Sequence, residues 1–398
     1  MLKNKTILLG VTGSIAAYKI ANLASMLVKL QADVHVIMTK NATNFIHPTT
    51  FETLTGNKCL IDTFDRNFQF HVAHISLAKK ADVVMVAPAT ANIIGKLANG
   101  IADDMLTTTV LACKCPCYIS PVMNSNMYTN QIVTDNIHKL YSYGYQIIEP
   151  THGNLACGDS GIGKMPSETD LLDYLLREIH YPKDMSGKRV LITAGATQES
   201  IDPVRFITNH STGKMGFALA RVAMERGADV TVIAGYTTAA FPPFVKMIPV
   251  KSASEMFDAV LAISDTMDII IKSAAVSDYT PISVDTEKIK KSEDTLSIPL
   301  IKTKDILAHL GAHRQPDQLL CGFSMETTNM IPYAKEKLTQ KKLDLIVANN
   351  IKEEGAGFGT DTNVVTLITR DSINALPLMS KENVAKEILD KLLELSTC

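Results

Sequence analysis

Residues 6–19 read TILLGVTGSIAAYK, and residues 189–216 read RVLITAGATQESIDPVRFITNHSTGKMG. In both stretches a short apolar run ends at a glycine and passes through small and polar residues into a helical pattern. A second strand-like run follows each helical pattern, at 33–39 and at 229–234. This order of strand, tight turn, helix and strand is typical of a βαβ unit on a parallel sheet.

The turn that leads into each helix is a candidate phosphate-binding site. The first N–H groups of a helix have no partner within the helix, and the helix dipole favours a negative charge beside them. Neither stretch contains a GxGxxG or a GxxxxGK[ST] pattern. The sequence therefore predicts two sites for phosphorylated ligands without naming those ligands.

A polar segment divides the chain into two halves. It contains Pro182 and Gly187 and separates a helical pattern at 168–180 from a new strand that begins at Val190. Strand-like runs occur before it at 6–11, 33–39, 82–87, 116–121 and 145–149, and after it at 189–193, 229–234, 268–272, 319–323, 344–348 and 363–368. We therefore expect two Rossmann-like domains with open parallel sheets, residues 1–184 and 185–398, whose ligands bind beyond the carboxyl ends of the strands.

The composition is that of a globular enzyme. Of the 398 residues, 46% are apolar and 20% are charged. A net charge of −2 gives no electrostatic reason to expect a nucleic acid or an anionic membrane as a partner. No apolar run approaches the ~18 residues of a membrane span, and the short apolar run near the N-terminus favours a strand over a secretory signal. Seven cysteines, an odd number, fit a reducing compartment, so we expect a cytoplasmic protein.

Cys113, Cys115 and Cys117 form a possible metal cluster in the segment LACKCPCYISPVM. The segment reads as a strand, and alternate residues of a strand share one face. Tetrahedral metal sites usually take their ligands from a C-x₂₋₄-C turn and a second ligand pair, and no such arrangement is apparent here. We therefore expect cysteines that pack as small apolar residues, and the sequence assigns no metal ligand.

The loops that follow the strands of the first half hold its candidate site residues. Thr90 and Asn92 follow the strand-like run at 81–88, where they either cap the next helix or contact a ligand. Asn124, in PVMNSNMYTN, offers the same two alternatives. Cys157 lies among four glycines at 153–165, which favours a mobile flap that carries a thiol over a bound substrate.

Taken together, these motifs resemble a known enzyme family. GVTGSIAAYK, HPTTFETLTGNK, HISLAKKADVVMVAPATANIIGKLANGIADDMLTT, PVMN and NLACGDSGIGKM resemble the flavin-dependent phosphopantothenoylcysteine decarboxylases. AGATQESIDPVRFITNHSTGKMG, SAAVSDY, EKIKK and DLIVANNI are similar to phosphopantothenate–cysteine ligases. Their order matches the bacterial bifunctional enzymes of coenzyme A biosynthesis, and the resemblance covers essentially the whole chain.

For the first half, the resemblance implies a flavodoxin-like domain that binds FMN and decarboxylates 4′-phosphopantothenoylcysteine to 4′-phosphopantetheine. FMN supplies the electron acceptor that this decarboxylation requires. The resemblance makes His74 the base near the substrate thiol, Asn124 the carboxylate ligand and Cys157 the proton donor to the enethiolate. The matching cofactor positions are Gly13, Ser14, Thr90, Asn92 and Lys96.

For the second half, the resemblance implies that 4′-phosphopantothenate attacks the α-phosphate of CTP, and that cysteine then displaces CMP from the acyl-cytidylate. Mg²⁺ and lysines are expected around the triphosphate. Asn209 matches the residue that contacts the activated carbonyl and Lys288 the lysine of cytidylate formation, although Lys290 and Lys291 lie close enough in sequence to leave that choice open. The matching nucleotide-binding positions are Ser211, Gly213, Lys214, Ala274, Ala275, Asp278, Lys288 and Phe323. Of these, Ala274, Ala275 and Asp278 match the family's cytosine-reading segment.

Two positions depart from the family pattern. Lys164 stands where many relatives carry arginine, so a bidentate substrate contact is not expected there. Residues 303–306 read TKDI where relatives usually carry Asn-Pro-Asp-Ile, and the loss of proline predicts a more mobile loop.

Relatives also build flavin sites between the subunits of a trimer and pair their ligase domains as dimers, so the resemblance implies a homo-oligomer.

Two other functions are consistent with a pair of Rossmann-like halves. A nicotinamide-dependent oxidoreductase would need a GxGxxG fingerprint and an acidic ribose ligand, and neither is evident. A regulatory subunit related to the flavin domain would need no catalytic set. His74, Asn124 and Cys157 together, joined to a ligase-like half, argue against that second alternative.

Overall fold

The computed structural model describes residues 2–64, 73–155, 158–290, 296–326, 329–350, 357 and 359–396. The chain divides into two compact units, Met1–Tyr181 and Pro182–Cys398. The domain boundary expected after residue 184 lies close to this division. Each unit is described here by itself.

The first unit is built on a five-stranded parallel sheet. Its elements are β1 (Thr6–Val11), α1 (Ala17–Lys29), β2 (Asp33–Met38), α2 (Pro48–Thr55), α3 (Ala73–Lys80), β3 (Val83–Ala89), α4 (Ala91–Ala98), α5 (Met105–Ala112), β4 (Cys117–Pro121), α6 (Ser125–Tyr128), α7 (Gln131–Ser142), β5 (Gln146–Ile147), β6 (Thr151–Asn154), β7 (Ser160–Lys164) and α8 (Glu168–Ile179). The sheet order is β2-β1-β3-β4-β5, with every pair parallel. This is the flavodoxin-like order, as expected from the sequence.

Both faces of that sheet are buried, which explains its nearly continuous apolar strands. All six residues of β1 are buried. Because successive side chains of a strand point to opposite faces, Leu9 packs into one apolar cluster and Leu8 into another. Because all five strands run in the same direction, each crossover connection returns the chain from the carboxyl end of one strand to the amino end of the next. The loops that follow the strands therefore lie together at the carboxyl ends of the sheet.

The second unit contains a larger sheet. Its elements are β8 (Arg189–Ala194), β9 (Gln198–Ser200), β10 (Phe206–Thr208), α9 (Lys214–Glu225), β11 (Asp229–Ala234), β12 (Lys246–Pro249), α10 (Ala253–Ser264), β13 (Ile269–Lys272), β14 (Tyr279–Pro281), β15 (Leu300–Lys302), α11 (Ile306–His313), β16 (Leu319–Glu326), α12 (Met330–Gln340), β17 (Leu345–Asn350), β18 (Thr362–Asn363), β19 (Val365–Ile368), β20 (Ile373–Ala375), β21 (Met379–Ser380) and α13 (Lys381–Ser396). The sheet order is β12-β11-β8-β13-β16-β17-β19-β20. Its first six strands are parallel and follow the Rossmann order.

The last two strands of this sheet depart from the expected parallel arrangement. Strand β19 pairs with β17 in the antiparallel sense, and β20 pairs with β19 in the same way. No helix lies between β17 and β19 in the part of the chain that the structure describes. A parallel neighbour needs a long crossover connection, usually through a helix, whereas an antiparallel strand does not.

The expected strand through the three neighbouring cysteines is wrong in its start. Strand β4 begins only at Cys117, because α5 extends to Ala112 with Cys113 as its C-cap. Cys115 lies in the turn between the two elements. Cys117 is buried in the core, and Cys113 and Cys115 pack against the same apolar cluster. Among the described residues no group of three or more His, Cys, Asp or Glu side chains could hold a metal ion.

In the described segments, every helix is too short or too polar to cross a membrane. The cytoplasmic location expected from the sequence stays a prediction.

Arg226 ties the beginning of the second unit to its last helix. Its guanidinium holds Asp184 through two hydrogen bonds, Nε to Oδ1 at 2.8 Å and Nη2 to Oδ2 at 2.7 Å. Its remaining nitrogen, Nη1, lies 2.6 Å from Asp390 Oδ1 on α13. Arg226 is only 4% exposed, so its charge depends on these two carboxylates for compensation.

We expect Arg226→Met to lower the free energy of unfolding of the second unit by about 2 kcal/mol. Removing one member of a buried ionic cluster leaves its partners uncompensated, and partial exposure of both carboxylates moderates the loss. Hydrogen exchange of the core strands measures this stability. Arg189→Met is the matched control, because Arg189 also grips an aspartate, Asp268, but at the surface. Equal losses in the two variants would contradict the prediction.

Candidate active sites

In the first unit, a buried threonine joins the loops that follow β1 and β3. The Thr12 hydroxyl donates to the Pro88 carbonyl at 2.6 Å and accepts from the Thr90 N–H at 3.1 Å. Thr12 is 1% exposed. The two predicted cofactor-binding loops are therefore held together at the carboxyl edge of the sheet.

The first of these loops has little room for side chains. A Cβ atom on Gly13 would lie 2.8 Å from Cβ of Asn41, which is too close for any other residue without a backbone shift. The Ser14 hydroxyl accepts from the Ala16 N–H at 3.4 Å, which turns the chain into α1. The loop thus offers backbone and one hydroxyl to a ligand that approaches closely.

The second loop opens α4 with Thr90 as its N-cap, and no side chain of the described residues caps the helix start there. Asn92 lies exposed in the first turn. Uncapped N–H groups at a helix start suit an anion. Thr90, Asn92, Gly13 and Ser14 are thus brought to one edge from two neighbouring strands.

Lys96 has protein partners of its own. Its ammonium donates to Asp103 at 2.7 Å and to Asp104 at 3.1 Å. The hydrogen bond to Asp103 contributes most to a raised pKa of Lys96. These two contacts stabilise the start of α5. A contact between Lys96 and a cofactor stays a prediction.

Asn124 joins the loop after β4 to the β6–β7 hairpin. Its amide donates to Asp159 Oδ2 at 3.3 Å, while its carbonyl oxygen accepts from the Asn126 N–H at 2.8 Å. Close packing fixes the hairpin here, because a Cβ atom on Gly163, whose φ is +132°, would lie 2.1 Å from the Met123 carbonyl oxygen. The sequence did not reveal this hairpin.

Three further residues of this unit that the sequence singled out are Cys157, His74 and Lys164. Cys157 belongs to the β6–β7 connection and lies outside the described residues. His74 lies in the first turn of α3 and is partly exposed. Lys164 ends β7 and is exposed. The roles of all three stay predictions.

In the second unit, a cavity of about 470 Å³ opens at the carboxyl ends of β8, β13, β16 and β17. Eight residues that the sequence singled out line it: Asn209, Ser211, Gly213, Lys214, Ala274, Ala275, Asp278 and Phe323. They come from three separate segments of the chain. Parallel pairing brings these segments together, because the ends of all the parallel strands meet at one edge.

Thr193, at the end of β8, holds the predicted cytosine-reading segment in place. Its carbonyl accepts from the Ser273 hydroxyl at 2.7 Å, and its hydroxyl accepts from the Ala274 N–H at 3.2 Å. Asn209 then donates an amide hydrogen to the Ala275 carbonyl at 3.1 Å. The predicted catalytic amide and the predicted base-reading backbone are therefore in direct contact.

The predicted phosphate loop ends at the N-terminus of α9. Gly213 is the N-cap of this helix and has a φ of +79°, a backbone conformation that residues other than glycine rarely adopt. A Cβ atom there would also lie 2.5 Å from Cγ2 of Thr237. The Ser211 hydroxyl accepts from the Gly213 N–H at 3.5 Å. This glycine lets the helix start face the cavity.

Two lysines hold the segment before β18 beside this loop. Lys214 donates to the Gly359 carbonyl at 2.8 Å and to Asp361 Oδ1 at 2.7 Å. Lys381, which also lines the cavity, donates to the carbonyls of Gly357 and Thr360. Burial lowers the pKa of Lys381, and the neighbouring Lys214 lowers it further.

The loop at 303–306 is tied at two points despite its missing proline. The Thr303 hydroxyl donates to the Ser277 carbonyl at 2.7 Å, and the Thr303 N–H donates to the Asp278 carbonyl at 3.0 Å. Asp305 caps α11 by accepting from the Ala308 N–H at 3.0 Å. These hydrogen bonds supply a restraint that the sequence pattern did not indicate.

Sequence reasoning missed several lining residues of the large cavity. Lys272, Asn349, Asn363 and Lys381 all reach it. Lys272 left a signal, because it ends the apolar run IIIK with a charge. Asn349 lies in the family-like motif DLIVANNI, whereas Asn363 and Lys381 left no signal, since their proximity depends on how β18 and α13 pack.

Lys288 does not line the described cavity and is exposed, as is Lys290, whereas Lys291 lies outside the described residues. The backbone of Ile289, the residue after Lys288, is held by two hydrogen bonds. The Ile289 N–H donates to buried Asp202 at 3.2 Å, and the Arg205 guanidinium donates to the Ile289 carbonyl at 2.9 Å. Burial would raise the pKa of Asp202, but Arg205 and three backbone N–H groups hold it well below its usual range.

Comparison with known proteins identifies the family. A model of the Flavoprotein family matches residues 1–180, and a model of the DNA/pantothenate metabolism flavoprotein C-terminal domain matches residues 185–395. The chain is 48% identical over 402 residues to the coenzyme A biosynthesis bifunctional protein CoaBC of Bacillus subtilis (strain 168), with 100% of this chain and 98% of that protein covered. The chain belongs to the family of coenzyme A biosynthesis bifunctional proteins.

A second curated relative agrees with this assignment. The protein of the same name from Borreliella burgdorferi is 45% identical over 391 residues, which cover 98% of this chain and 99% of that one. A crystal structure of the C-terminal domain of a coenzyme A biosynthesis bifunctional protein CoaBC, 42% identical, covers 54% of this chain and 98% of its own, with a TM-score of 0.47. The expectation of a bifunctional coenzyme A biosynthesis enzyme is confirmed, and the nicotinamide-dependent and regulatory alternatives are not retained.

We expect Asp202→Asn to release the segment that carries Lys288. The neutral amide loses the ion pair with Arg205 and accepts more weakly from the Ile289 N–H. Trypsin should then cleave after Lys288 and Lys290 several-fold faster, as measured by mass spectrometry of limited digests. Asp229→Asn, which alters an exposed carboxylate at the start of β11, is the matched control. An unchanged cleavage rate in the Asp202 variant would show that Asp202 does not hold the segment.

Proposed function

We propose that the second unit joins cysteine to 4′-phosphopantothenate with CTP, and that the first unit decarboxylates the product with FMN. The observation that supports this most strongly is the convergence of eight predicted ligase residues on one cavity. Turnover of 4′-phosphopantothenate, cysteine and CTP to 4′-phosphopantetheine by the full chain tests the proposal as a whole. A chain that consumed no CTP would contradict it.

The ligase cavity is suited to bringing two anions together. The substrate carboxylate must approach the α-phosphate of CTP, and the ammonium groups of Lys214, Lys272 and Lys381 reduce the repulsion between them. The N-terminus of α9 adds favourable dipole and N–H donors. Lys214 would exchange its contact with the exposed Asp361 for a phosphate oxygen.

Asn209 is positioned for the amide-forming step. One of its two amide hydrogens is donated to the Ala275 carbonyl, and the other remains for the oxygen of the activated carbonyl. A donor fixed in this way stabilises the negative charge that develops when the cysteine amine attacks. Mg²⁺ would accompany the triphosphate, with Asp278 as the carboxylate that lines the described cavity.

The residues at the carboxyl edge of the first sheet fit a flavin phosphate and ring. The close approach at Gly13, the Ser14 hydroxyl and the uncapped start of α4 are the features that fit. FMN, when bound, supplies the electron acceptor for decarboxylation. Asn124 would orient the substrate carboxylate through its amide, and His74 would take the thiol proton. Proton return by Cys157 stays a prediction from the family.

Trimeric flavin domains and dimeric ligase domains are part of this proposal. Ile15 and Tyr18, which flank the turn after β1, are 54% and 58% exposed. Exposed large apolar residues beside a cofactor loop are consistent with a neighbouring subunit that completes the site.

We expect Lys288→Gln to slow pyrophosphate release from CTP and 4′-phosphopantothenate, measured without cysteine, by ~10²–10³. The substitution keeps much of the length of the side chain and removes its charge. Decarboxylation of supplied 4′-phosphopantothenoylcysteine should stay near the parent rate, because that reaction belongs to the other unit. Lys290→Gln is the matched control and should have a much smaller effect. The reverse order of the two variants would assign the role to Lys290.

We expect His74→Asn to retain FMN but to lose CO₂ release by ~10²–10⁴, the usual contribution of a positioned base. Flavin content is read from the absorbance of the purified protein, and CO₂ is trapped from labelled 4′-phosphopantothenoylcysteine. Pyrophosphate release by the same variant is the internal control. A parent rate of CO₂ release would remove His74 from the mechanism.

A further inference from the structure

Lys272 is a charged residue at the end of a buried strand. The three residues before it, Ile269–Ile271, are 1% exposed or less. In the sheet it lies between Thr193 of β8 and Gly322 of β16. Two residues earlier on the same face, Ile270 packs in the apolar core. The aliphatic stem of Lys272 therefore continues a core layer, and its ammonium lies at the carboxyl edge of the sheet.

Lys272 lines two neighbouring cavities. One is the cavity of about 470 Å³ described above, and the other has a volume of about 360 Å³. The second cavity is lined by Tyr279, Lys302, Thr303, Lys304, Asp305, Ile306, Leu307 and Lys341, and it shares Lys272, Val276 and Asp278 with the first. A ligand that extends from one cavity into the other passes Lys272.

The groups around Lys272 leave an excess of positive charge. Lys302, Lys304, Lys341, Asp278 and Asp305 line the second cavity with it, Lys214 and Lys381 line the first, and the charge of Lys337 also acts on it. Asp305 is already engaged, because it accepts from Lys341 at 2.8 Å and caps α11. The ammonium of Lys272 has no hydrogen bond or ion pair with any residue in the described part of the chain.

An unpaired and largely buried ammonium is costly to maintain. Burial, and after it the charge of Lys341, lowers the pKa of Lys272 to about 8. A bound anion would offset this cost by replacing water around the ammonium. Phosphoryl oxygens do so best, since they bring up to two negative charges and several acceptors.

We propose that Lys272 binds a phosphoryl group of a ligand that spans the two cavities. This inference rests on the proposed ligase function and deepens it, because neither the sequence pattern nor the family motifs singled out Lys272. Two sources of the phosphoryl group are available in that reaction, CTP and 4′-phosphopantothenate. The chemistry of the contact is the same for both.

The proposal predicts a characteristic pH dependence. In the ligand-free protein Lys272 is protonated below pH of about 8 and neutral above it. The phosphoryl groups of CTP and 4′-phosphopantothenate lose their last proton at about pH 6 and are already ionised in this range, so the affinity for these two ligands should fall as the pH rises from 7.5 to 9.5. The contribution is present below the pKa of the free protein and is lost above it.

The test is calorimetric titration of the full chain with CTP and Mg²⁺ and with 4′-phosphopantothenate at pH 7.5 and 9.5, and with inorganic pyrophosphate at pH 7.5. Lys272→Met should weaken binding of the relevant ligand roughly 10- to 100-fold at pH 7.5, the usual loss of a hydrogen bond to a charged group. Lys272→Arg should retain the affinity and lose the part of the pH dependence that belongs to Lys272, since arginine stays protonated. Lys246→Met, at an exposed position on β12, is the matched control.

The results separate the proposal from the function on which it rests. Weaker binding of CTP and pyrophosphate to Lys272→Met assigns the contact to the nucleotide, and weaker binding of 4′-phosphopantothenate alone assigns it to the substrate phosphate. Parent affinity for all three ligands in Lys272→Met, or an undiminished pH dependence in Lys272→Arg, overturns the proposal. Failure of the parent chain to bind any of them would overturn the proposed ligase function instead.

Discussion

A buried threonine joins the first strand of each sheet to the loop of a neighbouring strand, and both candidate sites depend on that contact. In the first unit Thr12 binds the backbone of Pro88 and Thr90, and in the second Thr193 binds Ser273 and Ala274. Each threonine is 1% exposed or less. A short hydroxyl fits between two parallel strand ends and satisfies backbone groups that would otherwise be buried without a partner. Each unit thus uses a buried threonine to hold a candidate ligand-binding loop in place.

Electrostatics distinguishes the two sites. The ligase cavity gathers Lys214, Lys272 and Lys381, and the protein compensates the first and third with carbonyl oxygens and Asp361. These are neutral or exposed partners that a polyanion can replace. The flavin-side loops instead offer backbone N–H groups, a hydroxyl and an uncapped helix start. Under the proposed function, the first arrangement would serve a triphosphate that reacts, and the second a cofactor phosphate that is only held.

The sequence alone predicted most of the fold, because both sheets are covered on two faces. Buried parallel strands are apolar along their whole length, so their runs stand out from the helices between them. The antiparallel strands gave weaker signals. The β6–β7 hairpin and the β19–β20 edge are short or partly exposed, and the strand at Cys117 began later than its cysteine pattern indicated, because α5 continues to Ala112.

The amino-acid sequence by itself determined the two Rossmann-like units and the family, and it predicted a phosphate loop and a nucleotide-binding segment. Those features depend on local patterns of apolar, small and glycine residues, which are visible along the chain. The tertiary structure decided which charges meet. It brought Lys272 and Lys381 to the cavity, gave Lys96 two aspartate partners and left Lys288 outside the described cavity. Lys272 and Lys381 are far apart in sequence, and Lys96 meets its aspartates only across the connection between α4 and α5, so in each case the packing of strands and helices sets the distances between the charges.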